Sequence, residues 1–439
     1  MSIVEYKVIK NKLPSVSNWL TPNYKTQGYT YQDKLIEELK IGGYENPTNW
    51  KVDHSEYNWV LNQFIELRNG LINTLKILDE INDVPELNKL YHDASDKARP
   101  YYLLKGQHGI LIQEYGAEVV SNAWLKMYEM GKYLEKIFTN MNKKQRSSTI
   151  FKSFHIAEAP GNFMLAINHW LYNHHPEIKW EWTANSYREL YDSSSNYLVD
   201  TYGLIKTYPE QWNWGVDGDG DITSSNNIRS FGLDDKSQLA TGDVKYVPYK
   251  MDYSKEENIN IPVVFGQFLS SLWVLKKDGI LINKMFTIYE PATICMIYIG
   301  TYVFEEFQIV KPATSRPANT EIYIIGTGYK DNLTVLEKNM LLIYMEYIRN
   351  LNTGVDVPPL FKLEDLDEEF IRNIYDISNS LYTTQIENFN EVMRLYEEIQ
   401  KSDITSVLHR LEKPYEQRAR EWIASVGIGE LPNHLHMRK

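Results

Sequence analysis

The stretch FHIAEAPGNFMLAINHWL, residues 154–171, joins a strand-like apolar segment to a helical pattern through the turn Ala159-Pro160-Gly161. A glycine in such a turn lets a ligand approach the backbone, and the N-terminus of the following helix favours anions. The stretch lacks the Gly-Lys-Ser/Thr of a phosphate loop and a complete GxGxxG. Glu158, just before the turn, favours a ligand with positive charge or hydroxyl groups. A plain strand-to-helix turn is the alternative that these residues alone leave open.

Strand-like segments alternate with helical patterns on both sides of this turn. After TIFKSFHIA the predicted strands are WEWTANS (180–186), SQLATGDV, GILINKMF (279–286), FQIVKP and EIYIIGTGY (321–329). Alternation of this kind predicts an α/β fold with a mostly parallel sheet covered on both faces, whose ligands bind at the carboxyl ends of the strands.

The remaining chain divides into two further regions. Residues 1–112 are predicted to be irregular up to about residue 50 and then helical, with a helix over about 54–82. The α/β region covers 113–330 and contains a helical pattern at about 117–140. Residues 331–439 are predicted to be a helical extension with helices at 333–351, 364–382, 384–401 and 404–425.

Composition narrows the possible classes of protein. The chain has 439 residues with 43% hydrophobic residues, enough for a packed core, and the lone Cys295 excludes a disulfide scaffold. No apolar run approaches the roughly 20 residues of a membrane span, so we expect a soluble protein without a membrane partner. The net charge of −12 argues against loose electrostatic binding to nucleic acid but leaves a local basic groove open.

Four charged residues stand at unusual places in this pattern. Lys126 interrupts an apolar helical run, Asp243 ends a predicted strand, Lys284 lies inside the apolar strand GILINKMF, and Glu321 opens the last strand. A lysine in a buried strand is costly unless it is paired. Two lysines and two acids that meet at strand ends would neutralise each other and shift at least one lysine pKa towards use as a base. A structural ion-pair network is the alternative.

Two other groups of polar residues are weak metal candidates. GVDGDGDIT (215–223) resembles a calcium loop, but its sixth and twelfth positions are isoleucine, so a turn that exposes Asp221 to a ligand is the better interpretation. His169, His174 and His175 lack the spacing and the acidic or cysteine partner of a zinc site, and we predict a solvated helix end there. No metal is predicted.

Taken together, the motifs resemble the FtsJ-like ribose 2'-O-methyltransferases, and most of all the version of large cytoplasmic DNA viruses of the asfarvirus type. Five stretches carry the resemblance in the right order: NAWLKMYEM, AEAPGNFMLAINH, GDIT, TGD, and GILINKMF with KPATSRPANTEIYIIG. It covers about residues 115–330. It implies a Rossmann-like S-adenosylmethionine-dependent methyltransferase sheet with helical N-terminal and C-terminal extensions.

The resemblance also implies roles for particular residues. The family's Lys-Asp-Lys-Glu catalytic tetrad falls on Lys126, Asp243, Lys284 and Glu321. The implied contacts of S-adenosylmethionine are Glu158, Ala159, Pro160, Gly161, Asn162, Asp221 (an adenine-contacting acid after the third strand) and Asp243. Two positions depart from the family pattern: Asn162 replaces a common second glycine, and the aspartate motif reads Gly-Asp-Val-Lys.

The implied activity is methylation of an RNA ribose 2'-hydroxyl, on the first nucleotide of capped viral mRNA (cap-0 to cap-1). Lys284, with its pKa lowered by Lys126 and by burial, is the expected base, and Asp243 and Glu321 orient the lysines. The open alternatives are methylation of ribosomal or other structured RNA and a non-catalytic virion or complex component. The implied partners are RNA and other capping or transcription proteins, and the implied location is the host cytoplasm or viral factory, with packaging in the virion left open.

Overall fold

The structure is a computed structural model that describes residues 3–20, 59–143, 150–188, 199–233, 235–246, 255–352, 355–402 and 404–438. Most of the segment predicted to be irregular, and the predicted start of the first helix, lie outside the described residues.

Seven strands form one mixed sheet in the order β1-β6-β7-β5-β4-β2-β3. Their bounds are β1 Val4–Lys7, β2 Ile150–Ile156, β3 Lys179–Ala184, β4 Ser237–Gly242, β5 Leu275–Met285, β6 Phe304–Lys311 and β7 Ile322–Tyr329. Strands β3, β2, β4 and β5 pair in parallel, whereas β7 is antiparallel to both β5 and β6. The carboxyl ends of β2 to β6 and the start of β7 therefore share one edge of the sheet.

Fourteen α-helices lie in the described part of the chain. They are α1 Asn62–Leu75, α2 Ile77–Asn82, α3 Pro85–Lys97, α4 Ile110–Tyr115, α5 Asn122–Met130, α6 Glu135–Lys143, α7 Asn162–His174, α8 Leu204–Thr207, α9 Ser225–Phe231, α10 Glu256–Val274, α11 Pro291–Val303, α12 Val335–Arg349, α13 Glu368–Lys401 and α14 Ile404–Val426. No helix in these described ranges combines the length and apolarity needed to cross a bilayer.

The central strands carry apolar residues on both faces because both faces of the sheet are covered. In β5 the side chain of Leu281 belongs to the hydrophobic core on one face, while those of Ile280 and Ile282 belong to the core on the other face. Successive side chains of a strand point to opposite faces, so apolar residues follow one another here, and Asn283 and Lys284 are buried polar exceptions in the same strand. The predicted α/β class is confirmed.

Two local expectations are wrong, and a third, the helical pattern over 117–140, is divided more finely than predicted. The start of the chain is not irregular throughout, because β1 pairs with β6 and adds an antiparallel edge strand to the sheet. The pattern over 117–140 is two helices joined by a short 3-10 turn, Gly131–Tyr133. The two helices predicted within 364–401 form the single helix α13. The three domain boundaries stay a prediction.

Candidate active site

The four charged residues singled out in the sequence lie together at the shared edge of the sheet. Asp243 directly follows β4, Lys284 lies near the end of β5, Glu321 directly precedes β7, and Lys126 reaches this edge from α5. Lys284 Nζ lies 3.1 Å from Asp243 Oδ1 and donates a hydrogen bond of 2.8 Å to the Asp243 carbonyl oxygen. Lys126 Nζ forms an ion pair with Glu321 Oε1. Two lysines thus face two carboxylates in a nearly closed cluster.

A buried tyrosine hydroxyl connects the two ion pairs. Tyr323 OH lies 2.9 Å from Asp243 Oδ1 and 2.9 Å from Glu321 Oε1. Since a hydroxyl has one proton, it donates to one of these carboxylates at a time. The sequence patterns above did not single out this residue. A usable signal was present, because Tyr323 stands two positions after Glu321 and so points to the same face of β7.

The protonation of the cluster differs from the expectation. Burial lowers the pKa of Lys284, but the carboxylates of Asp243 and Glu321 outweigh this effect and raise the pKa above its usual value. Burial raises the pKa of Glu321, but Lys126 and then Lys284 outweigh it and lower this pKa well below its usual range. The predicted lowering of the Lys284 pKa is therefore wrong, because its nearest charges are negative.

The turn after β2 is held by its own glutamate. Glu158 Oε1 accepts hydrogen bonds from the backbone N–H of Phe163 at 2.8 Å and of Met164 at 3.1 Å, in the first turn of α7. Burial raises the Glu158 pKa to about 8; these two hydrogen bonds oppose the increase, and the Asp243 carboxylate adds to it. Glu158 thus combines a helix-capping role with a protonation equilibrium close to neutral pH.

Gly161 is required by the shape of this turn. Its φ is 114°, a conformation that L side chains rarely adopt, and a Cβ here would lie 2.3 Å from Leu204 Cδ1. Ala159 and Pro160, on the outer side of the turn, are partly exposed. The Ala159 N–H donates to Ser186 Oγ at 2.8 Å, which ties the turn to the segment after β3.

Asn162 connects the turn to the helix that carries Lys126. Its side-chain oxygen accepts hydrogen bonds from Ser121 Oγ at 2.6 Å and from Tyr202 OH at 3.1 Å. Ser121 is the N-cap residue of α5. The asparagine at the position where the family often has glycine therefore supports the arrangement of α5 and α7.

Asp221 lies in a turn and not directly at the end of a strand. In the described residues the nearest preceding strand is β3, and Trp212 makes an isolated bridge with its last residue, Ala184. Its Oδ1 accepts hydrogen bonds from the N–H and hydroxyl of Thr223 at 2.8 and 2.7 Å, and its Oδ2 lies 3.1 Å from Arg349 of α12. Asp221 follows the third strand, β3, in chain order but not directly, and a contact with adenine stays a prediction.

The histidines of α7 do not form a solvated helix end. His169 is fully buried, and its Nε2 donates a hydrogen bond of 2.8 Å to the Gly429 carbonyl oxygen. His174 stacks on Trp170. Among the described residues, no group of three or more His, Cys, Asp or Glu side chains is arranged to hold a metal ion.

The residues around the turn fit an adenosyl-amino-acid cofactor. Asn185 directly follows β3, and its backbone oxygen accepts the Glu158 N–H at 2.9 Å. Its buried Oδ1 has no hydrogen-bond partner within the described part of the chain, which leaves an acceptor for a ligand hydroxyl. A glycine turn, a carboxyl group and an unpaired amide oxygen are thus available at adjacent strand ends.

The strand order, the helices on both faces and the glycine turn after β2 define the Rossmann-like fold of S-adenosylmethionine-dependent methyltransferases. Residues 119–329 match the family described as FtsJ-like methyltransferase. The chain belongs to the FtsJ-like methyltransferase family.

Named relatives extend this comparison. The "Probable methyltransferase EP424R" of African swine fever virus is 33% identical over 301 residues in the Badajoz strain, covering 64% of this chain and 65% of that protein. A Kenyan pig isolate's version is 32% identical, covering 67% of this chain and 68% of that protein. The "Cap-specific mRNA (nucleoside-2'-O-)-methyltransferase 2" of Danio rerio is 25% identical, covering 64% of this chain and 37% of that protein. The chain thus spans about two thirds of its viral relatives and a smaller part of the fish protein.

Proposed function

We propose that this protein is an S-adenosylmethionine-dependent RNA ribose 2'-O-methyltransferase that acts on the first nucleotide of capped viral mRNA and converts cap-0 to cap-1. The observation that carries the proposal is the pairing of Lys126 with Glu321 and of Lys284 with Asp243 beside the turn that follows β2. The name of the similar fish protein, which specifies a 2'-O activity on capped mRNA, supports the choice of substrate.

The residues that would hold the cofactor are those of the turn and of the neighbouring strand ends: Glu158, Ala159, Pro160, Gly161, Asn162, Asn185 and Asp243. Glu158 suits a positively charged amine, and the unpaired Asn185 Oδ1 suits a ribose hydroxyl. When bound, S-adenosylmethionine supplies a methyl group on a sulfonium, which is already activated for displacement. The contact of Asp221 with adenine remains part of the proposal.

The protein's own residues would orient and deprotonate the substrate hydroxyl. A ribose 2'-hydroxyl is a poor nucleophile near neutral pH, so its proton must be removed while the oxygen is held in line with the methyl carbon. Lys284 is the proposed base. Its raised pKa means that it is protonated in this state, so it must lose a proton before it can accept one. A further positive charge brought close to its Nζ would lower the pKa and favour that loss.

Asp243 and Glu321 would keep the two lysines in place during this step. Asp243 bonds to Lys284 through both its side chain and its backbone oxygen, which leaves little freedom to the ammonium group. The Glu321 carboxylate forms an ion pair with Lys126 and lies within hydrogen-bond distance of Tyr323 OH. The resulting cluster is near neutral overall, so the reacting hydroxyl meets oriented groups without a large net charge.

The test is transfer of a labelled methyl group to short RNA with and without a methylated guanine cap. Transfer to the 2'-oxygen of the first nucleotide of capped RNA only supports the proposal, whereas equal transfer to both RNAs contradicts cap specificity. Cofactor binding without transfer to any RNA favours a non-catalytic component.

A pair of variants tests the base. Lys284→Ala should abolish transfer and retain cofactor binding. Lys277→Ala, an exposed lysine at the other end of the same strand, is the matched control and should leave both unchanged. Full activity of Lys284→Ala would exclude it as the base.

The proposed location is based on the viral relatives. An enzyme that methylates the capped transcripts of a cytoplasmic virus would work in the host cytoplasm. Other capping or transcription proteins would be its partners. Co-purification of this protein with the viral capping enzyme from infected cells would support this part. Purification without any capping or transcription protein would contradict it.

A further inference from the structure

The connection between β6 and β7, residues 312–321, delivers Glu321 to the cluster and is held by two charged side chains, the half-buried Lys311 and the buried Glu129. Lys311, the last residue of β6, binds the end of the connection that leads into β7. Glu129, one turn after Lys126 on α5, binds its start. Neither residue belongs to the proposed tetrad, and burial of such groups is costly unless they are fully bonded.

Lys311 uses all three of its protons on this connection. Its Nζ donates hydrogen bonds of 2.7 Å to the Asn319 carbonyl oxygen, the Asn319 side-chain oxygen and the Glu321 carbonyl oxygen. These acceptors come just before β7, and one of them is the backbone of the residue whose carboxylate pairs with Lys126. The position of Glu321 is therefore set by Lys311 as well as by the pairing of β6 with β7.

Glu129 binds the start of the same connection, also through three hydrogen bonds. Its carboxylate accepts hydrogen bonds from the Ala313 N–H at 3.0 Å, from the Thr314 N–H at 3.1 Å and from the Thr314 hydroxyl at 2.8 Å. Because Glu129 and Lys126 share α5, this contact fixes the helix against the same segment that presents Glu321.

We propose that Lys311 and Glu129 are positioning residues of the methyl-transfer site, which hold the two ends of the connection 312–321 so that Glu321 meets Lys126. The predicted effect on methyl transfer rests on the proposed function, whereas the predicted effect on the connection 312–321 does not. Without Lys311 the carbonyl oxygens of Asn319 and Glu321 lose their shared donor. Without Glu129, α5 loses its attachment to Ala313 and Thr314.

Two contacts from helices outside the sheet also hold the connection 312–321. Arg316 Nε lies 2.8 Å from Asp96 Oδ1 on α3, and Gln385 of α13 donates a hydrogen bond to the Ala318 carbonyl oxygen. The middle of the connection is thus attached to one helix that precedes the methyltransferase region and one that follows it. The helical extensions support the part of the site that carries Glu321.

The test compares Lys311→Met with wild type by backbone hydrogen exchange of the segment 312–321. The methionine keeps most of the side-chain length but removes all three donors, and we expect exchange to become faster by about tenfold or more in this segment. The matched control is Lys136→Met. Lys136 bonds to Glu306 of β6 and Thr327 of β7 at the opposite edge of the sheet, and its loss should leave 312–321 unchanged.

The second readout separates positioning from direct catalysis. Methyl transfer by Lys311→Met should fall about 10-fold to 100-fold in kcat, with cofactor affinity unchanged, because the altered geometry affects the reacting groups only. Thr314→Val, which removes the hydroxyl that donates to Glu129, should loosen the same segment by a smaller factor. It replaces Lys311→Met as the test if that variant does not fold.

Exchange in 312–321 that matches wild type in Lys311→Met and Thr314→Val would overturn the proposal, as would an equal increase in Lys136→Met. If wild-type protein transfers no methyl group to any RNA, the proposed function fails. The exchange experiment then still decides whether Lys311 and Glu129 hold this connection.

Discussion

Removal of Lys126 should destabilise the folded protein, because it leaves the Glu321 carboxylate without its closest positive charge. Lys126 is buried and forms an ion pair with Glu321 Oε1. Truncation of one partner of a buried pair typically costs about 3–5 kcal/mol of unfolding free energy. Glu321 keeps the Tyr323 hydroxyl and the more distant charge of Lys284, so we expect Lys126→Met to lose about 3 kcal/mol, at the lower end of that range.

The loss should depend on pH in a defined direction. In the wild type the pKa of Glu321 is lowered, so its stabilising contribution is fully present above the unfolded-state pKa and is lost only at strongly acid pH. In Lys126→Met, burial without the lysine should raise this pKa above the unfolded value. The folded variant then binds the extra proton, and its stability falls as pH rises. The difference from wild type should therefore be larger at pH 8 than at pH 5.5.

The assay is urea unfolding followed by tryptophan fluorescence, at both pH values. The double variant Lys126→Met/Glu321→Gln should recover most of the loss, since it removes the stranded charge as well. Lys152→Met, which breaks exposed ion pairs on β2, is the control and should change the midpoint little. A folded Lys126→Met within about 1 kcal/mol of wild type at pH 8, or a double variant less stable than the single one, would contradict a stabilising role of this ion pair.

Three further predictions concern the turn and the cluster. Tyr323→Phe should lower methyl transfer about 10-fold to 100-fold, because the hydroxyl that links the two carboxylates through a charge-assisted hydrogen bond is lost, while cofactor affinity measured by titration stays the same. Since the Glu158 pKa is about 8 in the free protein, binding of a positively charged amine beside it should lower that pKa and release a proton at pH 7; calorimetry in buffers of different ionisation enthalpy should detect this release in wild type and not in Glu158→Gln. Asn162→Ala should weaken cofactor binding and transfer together, because two hydroxyl groups lose their acceptor; equilibrium binding and single-turnover rates on capped RNA should both change, and unchanged values would contradict the role assigned to this side chain.

Some of the site was predictable because strand ends and sheet edges are linked by topology. Parallel strands bring their carboxyl ends to one edge, so Asp243 and Lys284, each near the end of an apolar strand, were expected to be neighbours. The turn at Gly161 was recognisable from its residue types, and its conformation agrees with the need for glycine there. The roles of these residues remain predictions, but their proximity follows from local sequence patterns plus the fold class.

Other parts of the site were beyond sequence reasoning because they depend on contacts between distant segments. The pKa of Lys284 is raised, although the sequence predicts that it is lowered. The direction depends on the balance between burial, which lowers the pKa, and the nearby carboxylates of Asp243 and Glu321, which raise it. The ion pair of Asp221 with Arg349 of α12 joins two segments that are far apart in the chain, and no local pattern indicates it.

The amino-acid sequence is sufficient to predict the α/β class, the positions of the central strands and the residue types at their ends. Periodicity reports which faces of a segment are buried, and that property is local. Other features are visible only in the folded chain: β1 completes the edge of the sheet, Tyr323 joins the two ion pairs, and Lys311 and Glu129 hold the segment before Glu321. Each of these contacts needs atoms from separate elements within about 3 Å, and such distances result from the packing of the whole chain.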